Sequence, residues 1–130
     1  MYGIGNPLID IIAQVADEDL SNLGIHKGTM HLIDERRRRE LLAFLAGKSV
    51  SYSCGGSCPN TIITLASLGI EATLAGKVGD DEFGTIYKNR LGELAVRDEL
   101  AFCKEPTGSS IILISPDSER TMNTYLGANR

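Results

Sequence analysis

The chain has 130 residues, 42% hydrophobic and 23% charged, and its 13 Lys plus Arg against 17 Asp plus Glu leave a net charge of -4. That length suits about one domain with a buried core, and the balance of residue types excludes a disordered or fibrous chain. The acidic excess argues against nucleic-acid binding, and no apolar run approaches the roughly 20 residues of a membrane-spanning helix.

The opening MYGIGNPLIDIIAQV reads as a strand, a break at Asn6-Pro7, and a second strand, because Ile9, Ile11, Ile12 and Val15 are β-branched and Pro7 forbids an early helix. Gly3-Ile4-Gly5 looks like the start of a dinucleotide-binding turn, but Leu8 stands where a third glycine is needed and a strand follows instead of a helix. Residues 17–28 are polar, with turn signals at Gly24 and Gly28, and residues 29–34 alternate like a short strand. Asp34 is then set to cap a helix whose apolar side is Leu41, Leu42, Phe44 and Leu45 and whose end is marked by Gly47. Arg36 to Arg39 fall within it and are read as a solvated face rather than a nucleic-acid patch.

SVSYSC is a further strand, and it runs into GGSCPN at 55–60. Paired glycines at a strand-to-helix junction leave three readings: a thiol metal site, a phosphate-cradling loop, or a hinge that closes over a polar ligand. Metal is disfavoured, because Cys54 and Cys58 have no second ligand pair nearby and His26 and His31 lie upstream on another segment. With Cys103 the cysteines make an odd count, so we expect buried or half-buried thiols and, with no secretory segment, a cytoplasmic protein.

From Asn60 to Leu68 the apolar spacing fits a buried helix ended by Gly69, and EATLAGKVG returns to strand. Asp80 or Asp81 caps another helix, with Phe83, Ile86, Tyr87 and Leu91 on one face. Beyond Arg97, ELAFCK, GSSIILISP and RTMNTYLGA read as antiparallel strands separated by PTG and PDSE. A parallel α/β part and a small β sheet drawn from distant segments are implied.

Three blocks, GIGNPLIDI, GGSCPNTIITLASLGIEATLAGKVGDDEFG and PTGSSIILISPDSERTMNTYLGAN, together resemble the ribokinase-like, or PfkB, carbohydrate kinases, a family that includes adenosine kinases. The resemblance covers nearly the whole chain. It implies an α/β fold, the N-terminal part of a ribokinase-like three-layer α/β fold plus a small β-sheet lid. Core segments are expected at about 1–8, 34–96 and 124–130, and lid segments at about 9–33 and 97–123.

The resemblance also implies roles. Asp10 matches the carboxylate that holds sugar or ribose hydroxyls, Asn6 a position lining that pocket in adenosine kinases, and Asn60 an asparagine bonded to a sugar hydroxyl. Gly55 and Gly56 match a di-glycine hinge, Ser57 lies between them and Asn60 within ligand reach, and Arg120 matches a basic residue near the transferred phosphate. Asp10 and Asn60 are thus expected to face one cleft, whose acceptor is a small-molecule sugar or nucleoside.

The family's second signature, Asp-Thr-x-Gly-Ala-Gly-Asp, supplies the catalytic base and does not occur here, so no catalytic residue is assigned. Gly79-Asp80-Asp81 is the nearest string and is read as a turn and helix cap. We therefore expect the N-terminal part of a kinase that uses ATP and Mg2+ at full length, inactive by itself. The alternative is a stand-alone sugar- or nucleoside-binding module, or one that dimerises through its lid strands.

Overall fold

The computed structural model describes all 130 residues. In chain order the elements are β1 (Tyr2–Ile4), β2 (Leu8–Gln14), α1 (Asp17–Asn22), β3 (Met30–Leu32), α2 (Glu35–Leu45), β4 (Val50–Gly55), α3 (Ser57–Ser67), β5 (Ala72–Gly79), α4 (Glu82–Glu93), β6 (Val96–Cys103), β7 (Ser109–Ile114) and β8 (Arg120–Tyr125), with a 3-10 turn at Gly127–Asn129. They form two compact units. One comprises residues 1–9, 54–108 and 126–130; the other comprises 10–53 and 109–125.

The first unit is built on a parallel sheet of order β1-β5-β6, with Gly3 beside Leu74 and Leu74 beside Asp98. Alternate residues of β5 and β6, Ala72, Leu74, Val78, Val96 and Leu100, are buried. Helices α3 and α4 pack on these strands, contributing Ile62, Tyr87 and Leu91 to the core. A side chain at Gly3 would collide with Ile62 and Cys58, so the missing Cβ is what lets α3 close on β1. Gly69, at φ +84°, ends α3 as the spacing predicts.

The second unit is a five-stranded sheet of order β3-β8-β7-β2-β4, in which β7 and β8 are antiparallel and β3 joins β8 in parallel. Ile11, Ala13, Ile111 and Leu113 are buried with Leu41 and Leu45 of α2, which packs against β8. Asp34 caps α2 by accepting a hydrogen bond from the Arg37 amide at 2.8 Å.

Four expectations are corrected. Strand β6 lies in the parallel sheet of the first unit, paired along its whole length with β5, rather than in an antiparallel meander. Alternating sequence identifies a strand but not its partner. The expected segment boundaries shift with it: residues 97–108 belong with the parallel sheet, and residues 34–53, carrying α2, belong with the mixed sheet. Residues 17–22 are helical, not only turn, because the Asp19 carboxylate accepts from the Ala16 amide and holds the first turn. Finally, the arginine run is not uniformly solvated. Arg38 is buried, donates from Nε to Ser109 Oγ at 3.0 Å, and sits 5.3 Å above the Tyr125 ring.

At the surface of the second unit, Lys27 Nζ bridges Asp17 at 3.0 Å and Asp117 at 2.7 Å. The Lys27 and Ser115 hydrogen bonds hold the Asp117 carboxyl down at about 2. A depressed folded-state pKa stabilises the fold above the ordinary carboxylate range, and that contribution disappears as pH falls through the folded value. Acid titration of Asp117→Asn followed by circular dichroism should accordingly lose less stability than the wild type between about pH 4 and 2. Superimposable acid curves would show that the bridge contributes nothing there.

Candidate functional site

The residues singled out by sequence fall into both units. In the first unit, β4 ends at Gly55 and α3 begins at Ser57, with Gly56 between them as the N-cap residue. Gly55 is buried, and its carbonyl accepts from the Tyr87 hydroxyl at 2.9 Å. Conformational freedom is therefore concentrated at Gly56, at φ +106°, a backbone state that side-chain-bearing residues rarely adopt.

Gly56 is also a close approach. A Cβ there would run into the carbonyl oxygen of Asn6 and touch the Pro59 ring, so the start of α3 sits directly on the Asn6-Pro7 loop. The Gly56 carbonyl accepts from the Asn60 amide at 2.9 Å as the first turn of α3 forms. The side chains of Asn6, Ser57 and Asn60 are all exposed. An amide offers both donors and an acceptor, the complement of a sugar hydroxyl. Gly56→Ala combines a disfavoured φ with a steric clash and should cost on the order of 1–3 kcal/mol, read from its urea midpoint. An unchanged midpoint would contradict this tight junction.

In the second unit, Asp10 lies on β2 and is half-buried. Burial pushes its carboxyl up from the ordinary range, while the Arg120 charge pulls the other way. Arg120 is exposed at the first position of β8. A partly desolvated carboxylate beside a basic side chain is a group that can accept from a hydroxyl.

Gly79-Asp80-Asp81 behaves as the turn and cap anticipated. Asp81 Oδ1 accepts from the Gly84 amide at 2.8 Å and from the Thr107 hydroxyl at 2.6 Å, and Oδ2 accepts from the Thr107 amide at 2.8 Å. Thr107, fully buried, in turn accepts from the Gly79 amide at 2.8 Å. Sequence reasoning missed Thr107, which carries no local signal.

No group of three or more His, Cys, Asp or Glu side chains is arranged to hold a metal ion, and all three cysteines are free and half-buried. No helix is long and apolar enough to cross a membrane.

Residues 29–130 match the pfkB family carbohydrate kinase. The chain belongs to the pfkB carbohydrate kinase family. Among solved structures, adenosine kinase from Sinorhizobium meliloti is 40% identical with a TM-score of 0.80, the match covering 98% of this chain and 39% of that one. A probable sugar kinase from Rhizobium etli is 35% identical with a TM-score of 0.82, covering 98% and 38%. The Bifunctional protein HldE of Campylobacter concisus is 41% identical over 61 residues, 47% of this chain and 13% of that protein. The chain thus spans about two-fifths of the length of these structures, and the α/β ribokinase-like fold implied by the motifs is the fold observed.

Proposed function

We propose that this pfkB-family chain supplies the acceptor-binding part of an ATP-dependent kinase that phosphorylates a hydroxyl of a sugar or nucleoside. The observation that carries the reading is the junction of β4 and α3. Gly56 at positive φ presses the first turn of α3 against the Asn6-Pro7 loop and leaves the amides of Asn6 and Asn60 exposed. In this reading Asp10 and Asn60 each hold an acceptor hydroxyl, Asn6 and Ser57 line the pocket, Gly56 gives the junction its freedom beside a fixed Gly55, and Arg120 meets the transferred phosphate. Its similarity to an adenosine kinase and to a probable sugar kinase supports an acceptor of one of these two kinds.

Phosphoryl transfer needs a base aligned with the attacking hydroxyl and charge stabilisation around the phosphate. None of the residues here is assigned to either task except Arg120, and ATP and Mg2+ belong to the full-length enzyme. We expect no ADP release from the isolated chain with ATP, Mg2+ and ribose, fructose or adenosine. Turnover by the chain alone would overturn the division of labour.

A second reading, a module that dimerises through its sheet, has one observation in its favour. Met30 and Leu32 of the edge strand β3 and Met122 of β8 are exposed apolar residues. Sedimentation of the chain distinguishes the two: a concentration-independent monomer excludes this alternative.

A further inference from the structure

The Asn6-Pro7 loop is more tightly held than an exposed loop needs to be, and everything that holds it lies in the first unit. The loop is bracketed by two backbone hydrogen bonds, from the Gly5 amide to the Ala75 carbonyl at 3.1 Å and from the Ile9 amide to the Gly108 carbonyl at 2.9 Å. Between these anchors Pro7 has no N–H to offer, so at that residue the loop is held through its carbonyl and by packing.

Packing comes from positions where a side chain is missing. A Cβ on Gly76 would lie 2.5 Å from the Gly5 oxygen and 2.9 Å from Pro7 Cδ, so β5 approaches the loop more closely than any other residue would permit. Gly56 does the same from the other element, against the Asn6 oxygen. The remaining carbonyl, that of Pro7, accepts from Asn129 Nδ2 at 2.7 Å, across 122 residues of sequence. Gly108 makes room for this bond, because a Cβ there would lie 2.6 Å from the same Nδ2 atom.

Asn129 is itself anchored. It ends the 3-10 turn, its amide donates to Leu126 O at 3.0 Å, and the Ala128 amide donates to Pro106 O at 2.8 Å. Its side chain is half-buried, so the bond to Pro7 is partly shielded from competing water.

We propose that Asn129 is a positioning residue for the acceptor pocket: its amide clamps the Pro7 carbonyl and thereby sets the direction in which the neighbouring Asn6 side chain is presented. This deepens the acceptor-binding reading and rests on it for the pocket, while the clamp itself stands on the geometry of the loop.

The test pairs local exchange with binding. Amide exchange by nuclear magnetic resonance is measured for wild type, Asn129→Ala and Asn129→Asp. Asn129→Asp keeps the shape but replaces the donor with an acceptor facing the Pro7 oxygen. Exchange at Ile9 should quicken about fivefold in Asn129→Ala, the worth of one net hydrogen bond, and more in Asn129→Asp, while the core amides of Leu74 and Leu91 keep their wild-type rates. Adenosine or fructose, whichever the wild type binds, should bind more weakly in the same order. Unchanged exchange at Ile9, or equal acceleration at Ile9, Leu74 and Leu91, overturns the clamp. A wild type that binds neither compound overturns the acceptor reading instead, and the exchange rates still decide whether Asn129 holds the loop.

Discussion

Asp10→Asn should weaken acceptor binding about 5- to 10-fold, the range expected when a hydrogen bond to a charged group is exchanged for a neutral one, and at the same time make the chain more stable at neutral pH. The two effects have a single origin. Burial raises the Asp10 carboxyl above its ordinary range, so the fold favours the protonated form, and Arg120 offsets this only in part. With the folded-state pKa above the unfolded one, the contribution of Asp10 to stability is greatest below the ordinary carboxylate range and declines as pH rises through the folded value. At pH 7 the wild type therefore carries a desolvated charge that the asparagine variant does not. Melting temperatures of both proteins followed from pH 4 to 8 should diverge upward, with Asp10→Asn the higher. A variant that is less stable at pH 7 would mean that the carboxylate is held by compensating interactions, and that its role is structural.

The second large effect is expected at Asp81. Removing its carboxylate in Asp81→Ala takes away the cap of α4 and leaves the buried amide and hydroxyl of Thr107 without their acceptor. A cap is worth about 1 kcal/mol and each stranded buried donor about 1–3, so a loss on the order of 3 kcal/mol is anticipated from urea unfolding followed by circular dichroism. Gly84 adds to the sensitivity, since it sits against the Gly79 carbonyl with no space for a Cβ. Asp81→Asn, which retains an acceptor oxygen for one donor, should lose less. Full stability in Asp81→Ala, together with loss of phosphoryl transfer in a full-length enzyme, would make Asp81 the catalytic base that we have not assigned it to be.

Helix caps mark what sequence makes legible. Asp34 could be recognised as a cap, and the second cap narrowed to Asp80 or Asp81, because capping is local: the accepting carboxylate and the donating amide are three residues apart. The Gly55-Gly56 junction was visible for the same reason, since a positive φ leaves its trace in one residue. Strand β6 was recognisable as a strand, but nothing within ELAFCK says that it pairs with β5 in parallel. Arg38 looked like its solvated neighbours because its partner, Ser109, lies 71 residues away. Asn129 falls within a family-like block, but its bond to Pro7, 122 residues away, left no local trace. In the candidate site, residue types and local turns were readable, whereas the close approaches that hold the Asn6-Pro7 loop depend on the assembled sheet.

The proposed acceptor role rests on Asn60 in the first unit and on Asp10 in the second, each taken by itself. Titrating isotopically labelled protein with adenosine and then with fructose, while following the amide and side-chain resonances of both residues, tests it directly. We expect one of the two compounds to shift the signals of Asn60, and those of Asp10, in a saturable manner, with Asn60→Ala and Asp10→Asn each weakening binding. Signals that stay still with both compounds would contradict the assignment of these residues to acceptor binding.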